Sequence, residues 1–408
     1  MSQPANARTV ARTLFFVAMA AGFGQFGAIA ALNDVAKFFG HVSASGSLRS
    51  TVGLSGSALG LGLGVLRLAS LAALPLAARA DHRGRPVILR QTLFAGLVLT
   101  ALAALSPSYW FFVLCFALAR PMLSAASTIV QVITVEFSSA TNRIHRLAVM
   151  AAGAGIGAGL SAVLHGIIRG PDSFRWLFAA ALVPALGLWR PSRAILEPVE
   201  RVSVPASARL GAVPRTARGP LAIVASVVFS IGMMTGPANG FAFVYGEGVL
   251  KISPHLVALV VALSALTGLG GLVLSRRLSR TLGRRITIAL GVLLLAATTA
   301  FAYSGGRASF IAGYLVGVGA VGLLTPATSA LSTEIFLRSV RATAAGWVAV
   351  AGVLGATTGL AVFGWISDRV HAHASTGLRT AAFATFLPLL PTLLLLRRLP
   401  EKAAVELD

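Results

Sequence analysis

Apolar runs long enough to cross about 30 Å of hydrocarbon as helices recur along the whole chain, separated by short polar breaks that mostly carry arginine. Twelve such helices are predicted, at 13–32, 51–76, 87–106, 109–135, 147–168, 174–189, 221–245, 255–275, 286–304, 308–333, 344–366 and 378–396. The longest break, 190–220, is rich in Pro, Arg and Ser and reads as a cytoplasmic linker. It divides the chain into an N-terminal six-helix half, 1–189, and a C-terminal half, 221–408. The pattern therefore predicts an all-α membrane protein of two pseudo-symmetric six-helix halves.

Small residues repeat between the halves. Ala148, Ala152, Gly155, Gly159 and Ala162 in the fifth run share their spacing with Ala345, Ala349, Gly352, Ala356 and Gly359 in the eleventh. At about 100° per residue, each set falls on one helix face, as required where membrane helices approach closely. The charged breaks repeat too: Gly84 and Arg85 match Gly283 and Arg284, and Glu136 matches Glu334.

Composition changes the picture in one respect. The 408 residues are 56% hydrophobic and 11% charged, with a net charge of +22. That charge is not gathered on a soluble domain, which excludes a nucleic-acid-binding surface. Most of the 34 Lys and Arg instead fall in the segments that are cytoplasmic if both termini are inside, as the positive-inside rule requires. Residues 1–12 precede an apolar run longer than a signal-peptide core, so the first helix is expected to be retained. The single cysteine, Cys115, sits in an apolar run, where packing is its expected role, and supports neither a disulfide framework nor a cysteine-based metal site.

The break "AARADHRGRP" at 77–86 resembles the loop signature of the major facilitator superfamily, G-x-x-x-D-R-x-G-R-R, with Asp81, Gly84 and Arg85 in place. The second copy, "RRLSRTLGRR", keeps Gly283, Arg284 and Arg285 but has no aspartate. The resemblance implies a cytoplasmic gate at these loops, with Glu136 and Glu334 as candidate partners. In "FALARPMLS", Arg120 takes the place of the arginine in the L-x-x-x-R-x-x-Q-G motif of the superfamily's drug and proton antiporters, although the flanking positions differ. Their G-x-x-x-G-P motif is met only as Gly155 to Gly159. A monomer is the family expectation.

Two arginines, Arg67 and Arg120, fall inside apolar runs. A charge at the bilayer centre costs about 2.5–3.5 kcal/mol on insertion scales, so such groups face a protein interior or a watered cavity. Arg67 shares a predicted face with Gly53, Gly56 and Gly60. From Arg120 a polar stripe runs through Ser124, Ser127, Gln131 and Thr134 at helical spacing, and is expected to line the pathway. Gln25 and Asn239 are further cavity candidates. Asp34 and Glu247, near the outer ends of the first and seventh runs, and His165, near the outer end of the fifth, are the proton-coupling candidates.

Nothing in this set points to catalysis, a cofactor or a metal. The two G-x-G-x-x-G matches, 22–27 and 317–322, lie in apolar runs with no soluble βαβ unit around them, and no phosphate-binding loop occurs. His371 and His373 lack the company of other ligands. The expectation is a secondary transporter in a bacterial cytoplasmic membrane, surrounded by lipid, that binds a small-molecule substrate. Proton-coupled export is the first reading, resting on Arg120's resemblance to the antiporter motif. Import or exchange of organic anions held by the buried arginines is the alternative.

Overall fold

The computed structural model describes residues 4–43, 46–138, 142–168, 170, 172–195, 215–336, 338–370 and 373–398. Among these, ten helices are long and apolar enough to cross a membrane. The first half is built from α1 (Pro4–Ala30), α2 (Leu32–Phe39), α3 (Leu48–Val52), α4 (Gly56–Ala69), α5 (Ala73–Arg83), α6 (Arg85–Leu102), α7 (Tyr109–Glu136), α8 (Arg143–Ile167), α9 (Ser173–Ala179) and α10 (Leu182–Trp189). The second comprises α11 (Arg215–Gly240), α12 (Pro254–Thr281), α13 (Arg284–Ala302), α14 (Arg307–Glu334), α15 (Arg338–Arg369), α16 (Ala374–Ala384) and α17 (Leu389–Leu396). Residues 196–214, most of the predicted linker, lie outside the described residues, as does His371.

The sixth and twelfth predicted spans are each broken, α9 from α10 and α16 from α17. The cause is the same in both. A proline cannot donate to the carbonyl four residues earlier, and its ring crowds that carbonyl. Pro184 acts on Ala180, the residue after α9, and Pro388 acts on Ala384, the last residue of α16. Short i to i−3 bonds, Val183 to Ala180 at 3.1 Å and Leu387 to Ala384 at 3.2 Å, carry the chain across the two breaks.

The chain forms two compact units. One contains Met1–Phe39, Val65–Pro205 and Ser253–Ala262, and the other Gly40–Gly64, Ala206–Ile252 and Leu263–Asp408. The main packing pairs of the first unit, α1 with α8 and α6 with α7, have counterparts in the second, α11 with α15 and α13 with α14. The repeat read in the sequence is thus a repeat of packing.

Lipid tails are as apolar as leucine, so these helices are held by close fit rather than by exclusion of water. A Cβ on Gly157 would overlap the Met19 carbonyl of α1, and one on Gly22 the Ala154 carbonyl of α8. In the second unit Gly355 and Gly359 approach Phe229 and Met233 of α11 in the same way. The small-residue face predicted for the fifth run is therefore corrected: Gly155 and Gly159 face open space, and the contact is made by Gly153 and Gly157. Gly53 also leaves its predicted face; it ends α3 at φ +101°, ahead of α4.

Six buried hydroxyls are satisfied by the chain just before them. Thr92, Thr100, Thr134, Ser230, Thr287 and Thr299 each donate to a carbonyl one turn back.

Candidate transport site

Arg120 sits on α7 immediately before Pro121, and its Nη1 donates to the backbone carbonyl of Gln25 on α1 at 2.8 Å. The Gln25 side chain is fixed in turn. Its Nε2 donates to the Leu123 carbonyl at 3.3 Å and to Ser127 Oγ at 3.1 Å, while Ser124 Oγ donates to its Oε1 at 3.4 Å. The structure thus joins four sequence candidates, Gln25, Arg120, Ser124 and Ser127, into one network. Gly24 and Gly96, both against Leu123, allow this close approach of α1 and α6 to α7.

That network does not use all of Arg120's donors. Its Nε is buried without a hydrogen-bond partner among the described residues. Arg67, near the end of α4, lies close enough for its charge to act on Arg120. No hydrogen bond or ion pair of the described residues reaches the Arg67 guanidinium, and no carboxylate pairs with either arginine. Gln131 continues the stripe and is exposed, whereas Thr134 at its end is buried. Asn239 lies in the other unit, where its Nδ2 donates to the Thr235 carbonyl at 3.0 Å beside a small cavity lined by Tyr303 and Tyr314.

A second polar cluster joins two of the three proton-coupling candidates. His165 Nδ1 lies 3.6 Å from Asp34 Oδ2, and Ser173 Oγ donates to the same oxygen at 2.7 Å. His165 is 2% exposed and the Asp34 side chain 24%. Asp34 occupies the first turn of α2 and His165 the last turn of α8, ends whose dipoles favour the carboxylate and the imidazolium respectively. Glu247, the third candidate, is buried elsewhere, on a π-helical turn at Val244–Val249 in the other unit.

The predicted gate residues also meet. Arg85 donates from Nε and Nη2 to Asp81 Oδ1, at 3.1 and 2.9 Å, and its Nη1 pairs with Glu136. The turn between α5 and α6 is a single residue, Gly84 at φ +95°, and Gly283 at φ +86° precedes α13 in the second copy. Only glycine takes that region without strain. Arg284 opens α13, and Glu334 ends α14 with its side chain outside the described residues.

The sequence reading missed Asp368. It accepts from the backbone N–H of Gly56 at 2.7 Å and of Ser57 at 2.8 Å, and from Ser57 Oγ at 2.5 Å, so it caps the start of α4 from α15. A carboxylate at the end of one apolar run and a Gly-Ser at the start of another were the available signals, but nothing in the sequence pairs them.

Membrane-length helices in two similarly packed sets, with arginines inside them, define a polytopic membrane protein. Residues 221–407 match the family model described as Major Facilitator Superfamily. Over nearly its whole length the chain superposes on solved transporters. These include a bacterial homologue of the human lysosomal transporter Spinster in an inward-facing, occupied conformation (TM-score 0.76, 14% identity, 97% of each chain). The nucleoside transporter NupG (TM-score 0.70, 11% identity, 95% of this chain and 98% of that one) and the inward-open xylose transporter XylE from E. coli (TM-score 0.70, 16% identity, 98% of each) superpose as well. No curated protein sequence matches it. The second half of the chain thus matches the superfamily's model, and the whole chain shares the fold of these solved transporters.

Proposed function

We propose that this chain is a secondary active transporter that works by alternating access, moves a small organic anion and couples that movement to protons. Its setting is a bacterial cytoplasmic membrane with both termini inside, and its fold gives no reason to expect an enzyme. The observation that carries the substrate charge is the pair Arg67 and Arg120: two neighbouring guanidiniums inside the helices, neither paired with a carboxylate among the described residues. A carboxylate or phosphate would fill the unused donors and offset the repulsion, while a lipophilic cation would add to it. Asp34 and His165 are the proton site of this reading, and Asp81, Arg85 and Glu136 its cytoplasmic gate.

Proton-coupled drug export is the second reading, favoured by Arg120 at the antiporter-motif position. One experiment separates the two: thermal stability of the purified chain titrated with anionic, neutral and cationic solutes, repeated for Arg67→Ala. A ligand that binds only the folded state raises its stability. Stabilisation by anions that disappears in the variant supports anion transport. Stabilisation by lipophilic cations, unchanged in the variant, sinks it and restores the exporter.

A further inference from the structure

The outer surface of the first unit carries a groove of about 820 Å³ along α1, walled by Leu160 and Leu164 of α8 and by Val183 and Gly187 of α10. Its polar lining residues, Thr9, Arg12 and Thr13, all lie at one end, and every lining residue beyond them is apolar. From Thr13 at the polar end to Phe23, the groove spans ten residues or about 15 Å of helix, half the thickness of the hydrocarbon core. Phe16, Leu160 and Val183 are exposed, as expected of side chains that face lipid.

Arg12 is exposed at the polar end and makes no ion pair or hydrogen bond with the described residues. It also lines a second cavity of about 500 Å³ with His145 and Arg146. The short 3₁₀ turn that carries Arg193, Pro191–Ala194, packs on α1 as well, with the Arg193 guanidinium 5.1 Å over the Trp189 ring. The positive-inside rule sets this basic end at the cytoplasmic face. A groove one leaflet deep, apolar along its length and basic at its mouth, matches a lipid with an anionic headgroup.

We propose that this groove is a binding site for an anionic phospholipid of the cytoplasmic leaflet, with acyl chain along α1 and headgroup phosphate on Arg12. The proposal is independent of the transported solute, because it uses none of the residues assigned to transport.

The test uses the full chain in neutral detergent, titrated with phosphatidylglycerol, with phosphatidylcholine of the same acyl chains and with glycerol phosphate, reading Tm. Two variants accompany it. Arg12→Gln removes a side chain that holds nothing else, and Gly187→Leu fills the groove at a position where a Cβ meets open space. Phosphatidylglycerol is expected to raise Tm more than phosphatidylcholine, and glycerol phosphate to leave it unchanged. In Arg12→Gln the preference for phosphatidylglycerol should fall about fivefold, and in Gly187→Leu the stabilisation should be lost. Equal stabilisation by the two lipids overturns the site. So does a phosphatidylglycerol effect that survives either substitution, or one that glycerol phosphate reproduces without acyl chains.

Discussion

A guanidinium inside a membrane protein must be satisfied by protein, water or ligand, and Arg120 shows how far protein alone goes. One Nη donates to the Gln25 carbonyl while the buried Nε finds nothing among the described residues. Replacing Arg120 by Gln removes a costly charge together with one hydrogen bond worth about 1 kcal/mol. Ligand-free thermal stability should therefore hold or rise while anion-induced stabilisation falls, both read on one preparation. A drop in ligand-free stability with anion binding intact would make Arg120 a strut between α1 and α7. The arginines, Ser124 and Ser127 were legible because a polar residue in an apolar run stands out against its neighbours. The anchor was not legible, because it is a backbone carbonyl, and every residue has one.

At the scale of helices, the same chemistry was readable in kind but not always in register. An Ala- and Gly-rich helix offers two small faces at once, and in α8 the sequence could not choose between Gly155 with Gly159 and Gly153 with Gly157. The partner decides: α1 lies on the second face, where a methyl on Gly157 would strike the Met19 carbonyl. Gly157→Ala is expected to cost about 1–3 kcal/mol by overpacking. Gly155→Ala, facing open space, should be neutral or stabilising by up to about 1 kcal/mol. Thermal unfolding of the two variants measures the difference, and equal effects would put α1 on the wrong face. Asp368 belongs to the same scale. Asp368→Ala strips the acceptors from two amides at the start of α4 and should cost about 1–2 kcal/mol, with faster hydrogen exchange confined to Gly56 and Ser57 and their neighbours. Ten of the twelve expected spans stand as membrane-length helices among the described residues, whereas the sixth and twelfth are interrupted because a proline acts four residues ahead of itself, where the hydropathy gives no sign.

For the whole molecule the question is what makes transport uphill. A coupled cycle needs a group that binds a proton on one side and gives it up on the other, and a partner that senses the change. In the proposed cycle that pair is Asp34 and His165, a partly exposed carboxylate beside a buried imidazole, with Ser173 holding the shared oxygen. Both side chains were visible in the sequence, but their meeting was not, because it depends on how the short α2 packs against α1, α7 and α9. In proteoliposomes, Asp34→Asn should abolish accumulation driven by a pH gradient. Solute exchange at equal concentration, which needs substrate binding and reorientation but no net proton movement, should continue. Loss of both activities would make Asp34 a structural residue of the α2–α8 contact, and retention of both would pass the coupling role to Glu247. His165→Gln keeps a hydrogen-bonding side chain in the same buried place without a titrating group. It should weaken the response to the gradient and spare exchange, which is the pattern that separates a proton relay from a packing contact.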